Sequence, residues 1–367
     1  MHVRALLIIN PRATSITGHD TGLVVRGLAS RLDLRTVETR YRAHAREIAA
    51  ASAADGYDLL LSFGGDGTVN EVVNGLMSAG ARDAGGRGGA AMPSQGTVRG
   101  PGCLPDPGSP APGTLDSPGT LPALGTLPAI APIPGGGANV FARSLGLPAD
   151  PVAAARQIAS AAAAGTARTI GLGLAGDRYF TFSAGIGLDA EVVADVERRR
   201  ASGRHSSTLL YMWTTLRRYY LGTDRRNPAL TLEIPGQPPV GDLFMGVVTN
   251  SSPWTYLGSH PVIPAPHPDF NSGLDVFALR RLRTLTTLSA LRQMLHTRDR
   301  PPSGRDVVAA ADHQELTFRS RRPIAFHIDG EYIGEPDSVV FRFVPAALRV
   351  MALRRQSVTS RTPVVRV

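Results

Sequence analysis

Along the first 80 residues, short apolar runs alternate with helix-length segments of mixed polarity. Arg4–Asn10 (RALLIIN), Leu34–Thr39 and Tyr57–Phe63 (YDLLLSF) read as strands. The first and third are nearly continuous in apolar character, as expected of strands covered on both faces. Gly22–Leu32, His44–Ala54 and Val69–Ser78 read as helices. Repeated strand–helix units predict a parallel, doubly wound sheet. The pattern lapses from Gly80 to about Pro128, where Gly, Pro, Ala, Ser and Thr dominate and PGTLDSPGTLPALGTLP nearly repeats itself. Such a segment buries too little apolar surface to offset its ordering entropy, so a disordered insertion is expected, with a Pro-rich partner motif as the alternative. Order resumes at the strand Ala129–Pro134 (AIAPIP), a helix ending near Leu145, and a helix over Pro151–Ala164.

From Ala167 onward the alternation becomes mostly that of strands, expected at 167–174, 178–184, 229–234, 242–250, 273–279, 313–319, 323–329 and 338–344. Helices are expected at 188–200, 206–221 and 284–297. Strands at this spacing predict an antiparallel sandwich. Residues 354–367 read as a flexible basic tail.

Composition changes this picture in three places. The formal charge is +9, carried entirely by arginine, because the chain has no lysine. A Walker A loop and lysine Schiff-base chemistry are thereby excluded, and phosphate would have to be held by backbone amides, arginines, hydroxyls or a metal. The single cysteine, Cys103, excludes a disulfide framework and cysteine-based metal sites. No apolar run is long enough to span a bilayer and the N-terminus lacks the features of a signal peptide, so a cytoplasmic protein is expected. The basic balance suits anionic lipid, nucleotide or nucleic acid, but no nucleic-acid module is recognisable.

Candidate chemistry concentrates after strands. In Ser62-Phe63-Gly64-Gly65-Asp66-Gly67-Thr68-Val69-Asn70-Glu71 a buried strand feeds a glycine turn that opens a helix. Glycines admit close approach of a ligand to the backbone, the helix start offers free amides to phosphate, and Asp66 can hold a metal. Asn10-Pro11-Arg12-Ala13-Thr14-Ser15 and Pro134-Gly135-Gly136-Gly137-Ala138-Asn139 follow two other strands. In a parallel sheet such loops converge on one edge, where ligands bind, although each alone reads equally well as a plain turn. Phe326-His327-Ile328-Asp329-Gly330-Glu331 reads as a hairpin turn, and a carboxylate such as Glu331 at its tip can act as a general base. His327 is expected to pack. Gly171-Leu172-Gly173-Leu174-Ala175-Gly176 fits the dinucleotide pattern literally but precedes a strand, so a hairpin is expected. His260, His267 and Asp269 lack metal spacing. Arg204–Leu221 is a basic, aromatic helical stretch, expected to cover the β domain, with an interfacial membrane helix as the alternative.

With these motifs the chain resembles the diacylglycerol kinase catalytic-domain family, specifically the soluble bacterial lipid kinases. IINPRATS, SFGGDGTVNEVVNGL, PGGGANVFARSLGLP, FSAGIGLDAEVV and HIDGEYI occur in the family's order. Kinases of NAD and of sugar phosphates share the GGDG turn without the whole series. The resemblance implies a phosphofructokinase-like, nucleotide-binding α/β domain over 1–148, a β-sandwich domain for a lipid substrate over 149–353, and the tail over 354–367. It implies that ATP lies among Asn10, Pro11, Arg12, Thr14, Thr39, Gly64, Gly65, Asp66, Gly67, Thr68, Gly135, Gly136, Gly137 and Asn139. It implies Mg²⁺ near Asp66, Glu331 as catalytic base and Asp329 as its neighbour. Arg12 and Arg143 are the candidate cations for the phosphates. Two departures stand out: Gly137 replaces a Thr or Ser, and Ser272 in Asn271-Ser272-Gly273 replaces an acidic residue of a metal-linked turn, for which Asp269 is a partial substitute. The lipid is expected to be met at the inner face of a membrane, and a homodimer stays open. Two other functions compete: a nucleotide-binding regulator or inactive relative, and a soluble-metabolite kinase for NAD or a sugar.

Overall fold

The computed structural model describes residues 3–85, 127–201, 227–258, 260–265, 269–296 and 300–351. The bulk of the expected insertion, Cys103, the Arg204–Leu221 stretch, His267 and the basic tail lie outside them.

The N-terminal half is built from β1 (Arg4–Ile9), α1 (Gly18–Ala29), β2 (Asp33–Glu38), α2 (His44–Ser52), β3 (Leu59–Gly64), α3 (Asp66–Gly85), β4 (Ala129–Pro134), α4 (Val140–Ser144) and α5 (Pro151–Ala163). Strands β1 to β4 pair in parallel in the order β2-β1-β3-β4. Their apolar side chains meet α1, α2, α3 and α5 in one core that includes Leu7, Leu61, Phe63, Val72 and Ile158. Both faces of β3 and β4 are covered, which is why these strands carry no polar–apolar alternation. Helix α3 begins three residues earlier than the apolar pattern suggested and runs to Gly85, so the expected insertion start at Gly80 falls inside a helix.

The remaining strands are β5 (Ala167–Ala175), β6 (Arg178–Phe180), β7 (Ser183–Gly187), β8 (Leu230–Glu233), β9 (Val240–Leu243), β10 (Met245–Thr249), β11 (Thr255–Leu257), β12 (His260–Val262), β13 (Leu274–Leu279), β14 (Val307–His313), β15 (Glu315–Ser320), β16 (Phe326–Ile328), β17 (Glu331–Gly334) and β18 (Ser338–Met351). Helix α6 (Leu188–Ala201) follows β7, and α7 (Thr284–His296) follows β13. A six-stranded antiparallel sheet in the order β14-β13-β10-β7-β16-β17 packs face to face with the distal part of a ten-stranded sheet. Phe318 and Phe326 both stack edge-on against Phe341 between the two sheets, 6.1 and 6.0 Å from it. Strand β18 bends near Ala346 (φ 50°) and pairs in parallel with β4 through Val350 and Ile130, so the ten-stranded sheet is continuous with the N-terminal parallel strands. The fold is therefore a parallel α/β unit followed by a mainly antiparallel β unit.

Several expected strands are interrupted. The run 178–184 breaks at Thr181 and Phe182, whose amides leave the ladder for the Asp329 carboxylate. The run 242–250 breaks at Phe244, whose amide bonds to Leu279 instead. Strands β11, β12, β14 and β17 were not expected. The G-x-G-x-x-G segment is a strand and hairpin turn, with Gly176 at φ 61°, as its lack of a following helix required.

Candidate active site

The three loops after β1, β3 and β4 are fastened to one another at the carboxyl edge of the parallel strands. Asn10 donates from Nδ2 to Thr68 Oγ1 at 2.9 Å. The Ser15 amide donates to the Gly135 carbonyl at 3.0 Å, and Ser15 Oγ to the Gly136 carbonyl at 3.2 Å. Thr39 at the end of β2 donates its amide to Ile9, 2.8 Å away. Two glycines are sterically required here. A Cβ on Gly64 would meet Thr68 Oγ1 at 2.6 Å, and one on Gly136 would meet the Gly65 Cα at 2.7 Å. Gly67 and Gly137, by contrast, face open space. Gly67 lies in the first turn of α3, where amides have no partner within the helix.

Asp66 accepts the amides of Val140 at 3.0 Å and Phe141 at 3.1 Å, one on each carboxylate oxygen. It thus caps α4 from another loop. The local residue Asn139, in the left-handed region at φ 49°, turns its side chain back to the Gly136 amide and carbonyl. Each Asp66 oxygen already accepts one amide, so a metal at this carboxylate would have to use a remaining lone pair. Among the described residues, no three His, Cys, Asp or Glu side chains converge on a metal-sized point. Asp269 is exposed, and Ser272 closes its turn by bonding the Asp269 carbonyl at 2.9 Å. Among the described residues, an ion held by protein ligands alone therefore has no donor set.

Burial pushes the Asp66 carboxyl up to about 6, against the pull of the Val140 and Phe141 amides. A carboxyl whose folded pKa lies above its unfolded value favours folding below that unfolded value and loses the contribution as pH rises through the folded one. Between pH 4 and pH 6 the wild-type protein should lose up to about 3 kcal/mol at this site, an upper bound because the residue keeps some solvent contact. Denaturant midpoints of the wild type and Asp66→Asn across that range check this. The variant is expected to show a shallower pH slope, and equal slopes would refute the assignment.

The carboxylates of the 326–334 hairpin face this edge from the β unit. Asp329 and Gly330 are both at positive φ, 47° and 77°, which is the backbone of a two-residue Asp-Gly hairpin turn. Asp329 is buried and accepts five hydrogen bonds: from Asn70 Nδ2, the Thr181 amide and the Thr181 hydroxyl, each at 2.8 Å, and from the amides of Phe182 and Ser183, each at 3.1 Å. Burial pushes its pKa up, and these donors oppose that shift. Asp329 thereby ties the hairpin to α3 and to the strand break at 181–183, rather than reaching toward a ligand.

Glu331, the first residue of β17, is paired through one oxygen with Arg42 and through the other with Arg178. Arg178 is itself held by Asn70 Oδ1 at 2.8 Å. A single chain of contacts thus runs from Glu331 through Arg178 and Asn70 to Asp329. Glu71, one residue on, accepts the Ala43 and Ala45 amides and fixes the loop that carries Arg42. A cavity of about 490 Å³ opens beside this pair, lined in part by Arg42, Arg198, Arg322, Glu191 and Tyr332.

The other expected participants lie elsewhere. Arg143 is stacked on the Tyr256 ring, its guanidinium carbon 3.2 Å from the centroid, and so is not aimed at the loops as expected. Arg12 is exposed, with its amide on Asn10 Oδ1. His327, expected to pack, is buried, with its Nε2 paired to Asp189 on α6 at 2.6 Å. Arg42 and Arg178, which do reach Glu331, escaped the sequence reading. The absence of lysine made every arginine a candidate cation, but neither belongs to a recognisable local motif.

The diacylglycerol kinase catalytic domain family matches residues 4–173, which span the three loops and end inside β5. No curated protein matches the chain. Among solved structures, a diacylglycerol kinase from Bacillus anthracis str. Sterne aligns with a TM-score of 0.61 at 18% identity, covering 96% of this chain and 97% of that one. A candidate diacylglycerol kinase from the same strain aligns with a TM-score of 0.66 at 19% identity, with the same coverage. These likenesses extend the shared fold over both units. The match to the diacylglycerol kinase catalytic domain family thus covers residues 4–173, which form the parallel α/β unit and the start of β5.

Proposed function

We propose that the protein transfers the γ-phosphate of ATP to the hydroxyl of a diacylglycerol-like lipid, with Glu331 as general base. The observation that carries this reading is the placement of Glu331 and two guanidiniums opposite three mutually fastened loops, two of them glycine-rich. Amides of the Gly64–Thr68 and Gly135–Asn139 turns other than those of Thr68, Gly135 and Gly136, which already have acceptors, would receive the phosphates. Open space at Gly67 and Gly137 leaves room for close approach. A divalent ion would enter with the triphosphate, whose oxygens supply most of its ligands, and would neutralise charge on the phosphates. In the reaction Glu331 takes the proton of the lipid hydroxyl while its oxygen bonds to the γ-phosphorus. The bond from that phosphorus to the bridging oxygen breaks, and ADP leaves. Arg42 and Arg178 would shift from Glu331 toward the transferring phosphoryl group, stabilising charge in a site where positioning and electrostatics do most of the work. Asp66 and Asp329 act as positioning residues.

Gly67→Ala separates fold from function. Its Cβ meets nothing in the protein, and alanine is the better helix former by up to about 1 kcal/mol. Thermal stability is therefore expected to hold or rise, while ATP affinity, measured by calorimetry, falls at least about tenfold as the methyl fills the space left for phosphate. Unchanged affinity would place the nucleotide elsewhere.

The function is tested by offering γ-labelled ATP and Mg²⁺ with either lipid vesicles or soluble acceptors, including NAD and sugars. Label in a lipid is the expected outcome, and label in a soluble acceptor would move the reading to a metabolite kinase. One observation favours a nucleotide-binding regulator instead: both Glu331 oxygens are occupied by arginines, so the base is neutralised as it stands. ATP binding without transfer to any acceptor would select that reading.

A further inference from the structure

Helix α7 is apolar on two opposite sides, although only one is needed for the core. Ala290 and Met294 are buried against Val262, Phe277 and Leu282 on the outer face of the six-stranded sheet. Leu285, Leu288 and Leu291 follow one another at a spacing of three residues and point the other way, with 82%, 57% and 38% of their surface exposed. At 100° per residue these three leucines cover about 120° of the helix circumference, centred well over a quarter-turn from Ala290 and Met294. Every other large hydrophobic with comparable exposure among the described residues, Tyr41 and Ile333, stands alone. A contiguous exposed apolar stripe marks an interaction surface.

The charge around the stripe indicates its partner. Residues 276–298 contain Arg280, Arg281, Arg283, Arg292 and Arg298 and no aspartate or glutamate. Arg283 and Arg292 are exposed and have no salt-bridge partner among the described residues, whereas Arg281 reaches Asp306 at 3.8 Å. Arg292 falls at the same helical azimuth as the stripe, between Leu285 and Leu288. Leucines bordered by Arg283 and Arg292, on a helix that itself carries no acidic residue and has Asp306 held at its opposite side by Arg281 and Thr286, are the composition of a helix that lies in the interface of an anionic bilayer.

We propose that α7 docks the protein on an anionic lipid surface, with Leu285, Leu288 and Leu291 entering the interface and Arg283 and Arg292 meeting the headgroups. The surface rests on the lipid-kinase reading, since it would bring the enzyme to its acceptor. Its position suits that role. Leu188 of α6 and Ala290 and Met294 of α7 share one core, so both helices cover the same outer face of the six-stranded sheet. Helix α6 also packs against β17, the strand that starts with Glu331, and lines the cavity beside it.

The test is co-sedimentation of the full chain with vesicles of phosphatidylcholine alone or mixed with phosphatidylglycerol. The wild type should bind the mixed vesicles and lose that binding as salt rises. The pair Leu285→Asp with Leu288→Asp, and the pair Arg283→Glu with Arg292→Glu, should each bind at least about tenfold more weakly. All four positions are exposed, so circular-dichroism melts should match the wild type. Phosphorylation of a short-chain, water-dispersed diacylglycerol should stay within about twofold of wild type, because that acceptor needs no docking; this arm keeps a failure of docking distinct from a failure of the kinase reading. Equal vesicle binding by wild type and variants would overturn the proposal. So would a concentration-dependent dimer in sedimentation velocity that the leucine pair abolishes, since a second copy of the chain would then be the occupant.

Discussion

Glu331→Gln is expected to lower lipid phosphorylation about 100- to 10,000-fold, the range for loss of a positioned general base. Glutamine keeps the length and planarity of the side chain, and it keeps an oxygen for one of the two arginines. Arg178 also retains Asn70 Oδ1 at 2.8 Å, so it is not left without a partner. The residue is partly exposed and borders solvent at the hairpin, which limits the cost to stability. The loss should therefore fall on kcat, with ATP affinity within about twofold of wild type, as expected when an interaction confined to the transition state is removed. Steady-state kinetics with varied ATP separates the two. A variant that keeps its kcat would mean another group takes the proton, and one that loses ATP binding would mean Glu331 organises the nucleotide site.

Asp329→Ala is expected to have the largest effect on stability, a loss of at least about 4 kcal/mol. Five donors converge on this buried carboxylate, and each buried donor left without an acceptor costs about 1–3 kcal/mol. The backbone adds to this, because φ is 47° at this position, and alanine tolerates the left-handed region less well than aspartate or asparagine. Asp329→Asn keeps the volume, the turn and one acceptor oxygen, so its loss should be about half as large. Urea midpoints of the three proteins give the order wild type, Asn, Ala. An alanine variant as stable as the wild type would mean that the donors find water and that Asp329 is not what joins the hairpin to α3.

Much of this was legible from local sequence because local chemistry determined it. The three loops lie at one edge because their strands are parallel, and apolar runs such as RALLII and LLLSF report burial on both faces. The Asp329-Gly330 turn follows from two residues that accept positive φ. What was not legible depended on partners distant in sequence. Asp66 sits in a glycine turn compatible with a metal, but its direction is set by amides 74 and 75 residues away. The strand break at Thr181 is caused by Asp329, 148 residues later, and nothing near Thr181 announces it. Arg178 and Arg42 become part of the site only when Glu331 folds onto them across 153 and 289 residues. The exposed stripe on α7 is a different case. Its spacing was readable, but periodicity alone assigns both apolar sides to the core, and only the packing of Ala290 and Met294 shows which side the protein covers.

The central claim is tested most directly by incubating the protein with γ-labelled ATP, Mg²⁺ and mixed micelles of diacylglycerol, then counting label in the extracted lipid for the wild type and Glu331→Gln side by side. The account predicts labelled lipid with the wild type and at least about a hundredfold less with the variant. Equal labelling by the two proteins, or no label with a wild type that binds ATP, would contradict it.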